Sequence, residues 1–153
     1  MRARSLWQPW ASFVRIGLKR IETRGRRTHV RGRFHIHAAN QPYHMALIQL
    51  LEKAGVDAGT WGNLRRAAGD PDPDTLLLPC GALIAIATLE DCVPIEPEPP
   101  EAKHPSLIAM TYRESVFGDY QRGRWAWLLK DVEPIKKPIP CKGRQGWWNV
   151  DWK

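Results

Sequence analysis

Residues 83–89, Leu-Ile-Ala-Ile-Ala-Thr-Leu, constrain this chain more than any other stretch. The run is far shorter than the roughly 20 apolar residues that span a bilayer. It also lacks the polar alternation of a half-exposed strand, so it reads as a strand buried on both faces. Around it the spacing predicts short elements. Residues 5–18 read as a helix, with Pro9 in its first turn, Trp10, Phe13 and Val14 on one face, and Gly17 as its terminator. Residues 20–24 and 33–38 read as strands joined by a basic, glycine-bearing connection. Residues 42–54 form a second amphipathic helix, closed by Gly55. A short helix near 63–68 precedes an exposed loop, and residues 105–117 read as helical from Pro105. Strands are expected at 125–130, at 135–139 (an edge, because of its prolines) and at 146–150. Residues 94–101, Pro-Ile-Glu-Pro-Glu-Pro-Pro-Glu, are an acidic excursion that fits neither a helix nor a central strand.

Short strands with few helices between them exclude a regularly alternating doubly wound sheet. The expected class is α+β: one domain over residues 1–153, built as a small mixed β-barrel with peripheral helices. No membrane span or secretory signal is expected. Cys80, Cys92 and Cys141 are too few and too widely spaced for a disulfide framework or a zinc finger. They read as free or core thiols in a reducing cytoplasm, with no cofactor and no metal.

Charge narrows the function. The chain carries +7, and residues 1–33 alone carry +9, with ten Lys or Arg against the single acid Glu22. The remaining 120 residues are therefore −2. A field focused in this way favours a polyanionic partner; a solvated basic face is the plainer alternative. Gly17-Leu-Lys19-Arg20-Ile-Glu22-Thr-Arg24 would place Arg20, Glu22 and Arg24 on one strand face, either as an ion-pair cluster or as a carboxylate orienting cations towards a ligand. Trp7-Gln8-Pro9-Trp10 offers an amide for a base edge and rings for stacking, although Trp10 also suits a core. His35 and His37 point one way on a strand and read as polar-face residues rather than metal ligands. Among Trp147, Trp148 and Trp152, at least one ring is a candidate stacker. No phosphate-binding loop, dinucleotide fingerprint or His-Glu-x-x-His is present, which argues against nucleotide hydrolysis, dinucleotide redox chemistry and zinc proteolysis.

In order along the chain, these residues resemble the ASCH domain of the PUA-like superfamily. Gln8-Pro-Trp-Ala is similar to the family's opening helix, and Gly17-x-Lys19-x-x-Glu22-x-Arg24 resembles its signature. Val30-Arg-Gly-Arg33, with the following Ile36-His-Ala38, resembles its next strand. Pro79-Cys-Gly-Ala-Leu-Ile-Ala85 through Leu89-Glu-Asp-Cys92 looks like its central strand. Residues 125–130, Pro138-Ile-Pro-Cys-Lys-Gly143 and Gly146-Trp-Trp148 resemble its end. The variant found in the activating-signal-cointegrator transcription coactivators shares the Gln-Pro-Trp-Ala and the Lys-Arg-x-Glu-x-Arg.

The resemblance implies a barrel with a cleft beside the first helix, where superfamily relatives bind RNA or modified bases. The expected partner is RNA or single-stranded nucleic acid. Gln8, Lys19, Glu22 and Arg24 are the expected polar contacts, Trp10 and Trp148 the aromatic ones, and Arg26, Arg27, Arg31 and Arg33 the phosphate contacts. A hydrolase is the alternative, either a ribonuclease on single-stranded RNA or an amidohydrolase on N4-acetylcytidine-type nucleosides, with Lys19 and Glu22 as its catalytic pair. The amidohydrolase signature resembles Gly-x-Lys-Thr-x-Thr-x-Arg. Lys19 matches its lysine, but Glu22 replaces the catalytic threonine, and Glu101 and Glu114 are the possible counterparts of its glutamate.

Overall fold

A computed structural model of the chain describes residues 1–95 and 104–151. The apolar run lies at its centre. Strand β4 (Ala82–Pro94) extends the expected 83–89 at both ends, and Leu83, Ile84, Ala85, Ala87 and Leu89 are fully buried. It pairs antiparallel with β3 (Gly32–Ala38) on one side and β5 (Trp125–Pro140) on the other. β1 (Arg2–Leu6) runs parallel to β3, β6 (Trp147–Asn149) antiparallel to β1, and β2 (Ile21–Arg24) antiparallel to β5. The sheet order is β2-β5-β4-β3-β1-β6.

The expected barrel is not closed, because β2 and β6 are edges that do not pair with each other. The sheet is nevertheless strongly curled. Three strands separate β5 from β6, which would hold them about 19 Å apart in a flat sheet. Yet the rings of Trp127 on β5 and Trp147 on β6 stack with centroids 5.4 Å apart and planes 7° from parallel. Side chains span a seam that hydrogen-bonded strands leave open. The β4–β5 ladder slips register three times along its length, and each slip bends and twists the strands.

Several expected elements are corrected. Residues 2–6 are a strand, and the first helix, α1 (Trp10–Arg15), is shorter than the expected 5–18. The strand's alternation runs for only five residues, and Arg2 and Arg4 disguise it. Residues 125–130 and 135–139 are one 16-residue strand. Its last three-quarters lie beyond the reach of β2, which covers only Trp125–Leu128, so Pro134, Pro138 and Pro140 sit on an edge where a missing N–H is tolerated. Helix α2 (His44–Lys53) is close to expectation, but α3 (Ala58–Ala67) starts earlier because the Asp57 side chain caps it, accepting from Thr60 N. The 105–117 stretch divides into α4 (Pro105–Ile108) and α5 (Tyr112–Val116), the latter capped by Thr111. Of the acidic excursion, Pro94 ends β4 and Ile95 is buried. Residues 96–101, Glu101 among them, and Trp152 lie outside the described residues. Among the described residues no helix is long and apolar enough to cross a membrane.

Helix α1 packs onto the sheet through Ala11 and Val14, and the helices pack against one another through Phe13, Leu47, Leu51, Trp61 and Phe117. A charged clamp lies beneath them. Arg15 on α1 is 2% exposed and donates to Ile84 O (3.1 Å), Ala68 O (3.1 Å) and Ile135 O (3.2 Å). It also pairs with Asp70, whose second oxygen lies 2.7 Å from Arg65 Nε. One guanidinium thereby fastens α1 to β4, β5 and the turn after α3. Removing Arg15 takes one of two cations from Asp70 and leaves the carbonyls of Ile84, Ala68 and Ile135 without this donor. Arg15→Met is expected to destabilise the chain by about 4 kcal/mol, lowering the thermal midpoint by roughly 10 °C in calorimetry.

A second clamp joins α5 to β2. Glu114 Oε1 accepts from Arg20 N (2.9 Å) and Ile21 N (2.9 Å), and Oε2 accepts from Arg20 N (3.0 Å). Burial raises the Glu114 pKa above its ordinary 4.5, while those amides and the charges of Lys19 and Arg20 oppose the rise. The folded chain therefore binds this proton more tightly than the unfolded chain. Its contribution is full below the ordinary value and is lost as pH rises through the folded value. The stability of wild type minus that of Glu114→Gln should fall as pH rises above the ordinary carboxyl range in denaturant titrations.

Candidate functional site

The chain leaves α1 through Gly17, whose φ of 82° suits glycine, and turns Lys19 inward before β2 begins. Lys19 is 1% exposed. Its ammonium donates to Ile21 O (2.5 Å) and Phe117 O (2.8 Å) and lies 3.5 Å from Glu22 Oε2. Two backbone carbonyls thus accept from it, and the Glu22 carboxylate balances its charge. The other Glu22 oxygen lies 3.1 Å from Arg24 Nε, so two cations bracket one carboxylate. Arg24 also reaches Ser5 O at 3.5 Å. As expected from the strand period, Glu22 and Arg24 share a face. Arg20 does not join them: it precedes the strand and lines a different cavity, of about 490 Å³, with Arg113 and Glu114.

Lys19, Glu22, Thr23 and Arg24 form the floor of an open cleft of about 450 Å³. Trp7 and Trp10 stand on one side, residues 116–119 on the other, and Arg124 at the end. Trp7 is 63% exposed. Trp10 is partly buried; it packs against the helical core, as one of its two expected roles has it, and also lines the cleft. The far wall is tied to β2. Asp119 N donates to Thr23 Oγ1 (3.0 Å), and Arg124 donates to Asp119 O (3.1 Å) and Thr23 O (3.4 Å). Gly118 leaves no room for a side chain, because a Cβ there would collide with the Tyr120 ring and press on Thr23. The Tyr120 hydroxyl is buried without a partner among the described residues. Burial first, then the charges of Glu114 and Glu22, raises its pKa and keeps it neutral.

The remaining expected residues lie elsewhere. Gln8 is 1% exposed and fully bonded internally: its amide nitrogen donates to Ser12 Oγ (2.8 Å) and Pro79 O (2.7 Å), and its oxygen accepts from Ser12 N (3.0 Å). It fastens the start of α1 instead of facing the cleft. Trp148 is 9% exposed and packs with Ala3 and Leu83 on the outer side of the sheet. Arg26 and Arg27 are exposed, the latter 5.5 Å from the Trp125 ring centre. Arg31 pairs with Asp91 at 2.7 Å, and Arg33 makes a two-pronged pair with Glu133 at 2.7 and 2.9 Å. His35 and His37 are buried rather than on a polar face, and burial lowers both pKa values. Among the described residues no cluster of His, Cys, Asp or Glu could hold a metal ion, and all three cysteines are free.

The sequence reading missed the far wall, Trp7 as the more exposed ring, and Arg4. The glycine-bounded stretch from Gly118 to Gly123, between a helix and a strong strand, was the available signal for the wall. Chemically, the floor offers a carboxylate acceptor with guanidinium donors beside it, under an exposed aromatic ring.

Comparisons with known proteins bear on the family of this chain. The ASCH domain model matches residues 5–139. No curated protein matches significantly. Among solved structures, the chain is similar to an ASCH protein from Zymomonas mobilis at 22% identity, covering 91% of this chain and 72% of that one, with a TM-score of 0.47. A tyrosine-to-phenylalanine variant of the Zymomonas mobilis protein matches at 19% identity, covering 91% and 74%, with a TM-score of 0.44. Matched over most of its length, the chain belongs to the ASCH domain family.

Proposed function

We propose that this chain binds single-stranded RNA, or another single-stranded nucleic acid, and holds one unpaired base in the cleft between α1, β2 and residues 116–119. The family is associated with nucleic-acid and RNA-related roles. The observation that carries the reading is the carboxylate of Glu22, set between Lys19 and Arg24 on the cleft floor beside the exposed Trp7. A carboxylate accepts from the amino group of a base, guanidinium groups meet carbonyl or phosphate oxygens, and a tryptophan face stacks on any base. The excess charge of residues 1–33 supplies the attraction for the backbone.

The bonding of Lys19 favours binding over hydrolysis. A catalytic amine must exchange a proton with the substrate, and this one is 1% exposed, donates to two backbone carbonyls and is paired with Glu22. Its evident work is to hold the cleft wall to β2. Glu101, one possible counterpart of the amidohydrolase glutamate, lies outside the described residues. Glu114, the other, is bonded to backbone amides.

The test is a labelled single-stranded RNA titrated with the protein at two salt concentrations and then run on a denaturing gel. Binding is expected to weaken with salt while the RNA stays intact. Trp7→Ala should weaken it by about 1–3 kcal/mol, the value of one stacked base. Glu22→Ala should cost about 1–3 kcal/mol and relax base preference. RNA shortened by wild type but not by Lys19→Ala would replace this reading with the hydrolase.

A further inference from the structure

The curl of the sheet creates a second charged place next to the cleft. Arg4 lies on the inward face of β1, opposite Trp147 in register. Its guanidinium carbon is 5.4 Å from the Trp127 ring centre and 5.9 Å from that of Trp147. The Arg24 guanidinium approaches the same Trp127 ring at 5.9 Å. Two arginines from opposite sides of the open seam therefore converge on one stacked pair of tryptophans.

Their charge is not balanced. Glu22 is bracketed by Lys19 and Arg24, and Arg4 has no carboxylate within ion-pair distance among the described residues. The Arg4 Nε is buried and has no hydrogen-bond partner among the described residues. Burial and the neighbouring Arg24 charge both lower the Arg4 pKa, and Glu22 only partly offsets them. The tryptophan faces attract a cation but accept no in-plane hydrogen bond. One carboxylate among three cations, in a partly dry place, is costly unless an anion completes it.

We propose that the seam between β1 and β2 binds a phosphate group, with the guanidinium groups of Arg4 and Arg24 as its donors and the Trp127–Trp147 stack as its apolar floor. Guanidinium forks match phosphate oxygens two at a time, and an ammonium does not. The phosphate has two possible sources: a phosphodiester of the bound strand, or a free phosphate or nucleotide. The strand as its source rests on the proposed function; the anion site itself does not.

The test uses the full chain with inorganic phosphate and with a single-stranded oligoribonucleotide. At constant ionic strength, phosphate is expected to raise the thermal midpoint of wild type in a concentration-dependent way. Arg4→Met should abolish the rise, while Lys53→Gln, on an exposed part of α2, should keep it. In phosphate-free buffer Arg4→Met should melt no lower than wild type, because it removes an unbalanced charge; a clearly lower midpoint would assign Arg4 to packing and overturn the proposal. Arg4→Lys keeps the charge without the fork and should show a smaller phosphate shift, so a shift equal to that of wild type contradicts the site. For the strand as source, Arg4→Met should flatten the salt dependence of RNA binding by about 0.7 in log–log slope. If the phosphate shift depends on Arg4 but RNA does not bind, the site takes a free phosphate or nucleotide and the nucleic-acid reading fails alone. If the shift is the same with and without Arg4, the site is not there.

Discussion

The buried ammonium of Lys19 is the interaction on which the cleft depends. It joins the start of β2 to the carbonyl of Phe117, two segments far apart in sequence, and places the Glu22 carboxylate between itself and Arg24. A buried charge tolerates little movement, because any lost partner leaves a desolvated ion. The same logic operates at Arg15, which fastens α1 to the central strands through backbone carbonyls and Asp70. Both cations belong to α1 or the turn that follows it. This short segment is therefore held from two directions, and the floor and one wall of the cleft inherit its rigidity.

The curl of the sheet decides the rest of the site. A flat sheet of this order would keep β2 and β6 far apart, and the rings of Trp127 and Trp147 could not meet. Register slips along β4–β5 bend the sheet until they do. The seam is then closed by aromatic rings and guanidinium groups, and its charge stays unbalanced. A fold that leaves its edges unpaired in this way brings Arg24 of the cleft and Arg4 of β1 to one ring, that of Trp127.

Much of this was legible in the sequence. The buried central strand is a run of apolar residues, and the shared face of Glu22 and Arg24 follows from a period of two, which also put Arg20 there, whereas the cation that joins them is Lys19 of the preceding turn. Gly17 and Gly55 both end helices, as their spacing suggested, at φ values of 82° and 65°. What was not legible is long-range. Nothing local shows that Gln8 turns inward to bond Ser12 and Pro79, or that Trp148 packs outward while Trp147 faces in. Arg31 and Arg33 read as free charge in the sequence alone; β4 beside β3 supplies Asp91, and β5 on the far side of β4 supplies Glu133, to pair with them. Whether the sheet closed was equally out of reach, because closure depends on the register slips between two strands distant in the chain.

The central claim is that a single strand occupies the cleft on the Lys19–Glu22–Arg24 floor. Amide and indole chemical-shift mapping, with a short single-stranded oligoribonucleotide titrated into isotope-labelled protein, tests it most directly. The account predicts shifts concentrated at residues 5–10, 19–24 and 116–124 and at the Trp7 indole, with the α2–α3 surface unmoved. Shifts centred on α2 and α3, or none at RNA concentrations well above those of the protein, would contradict it.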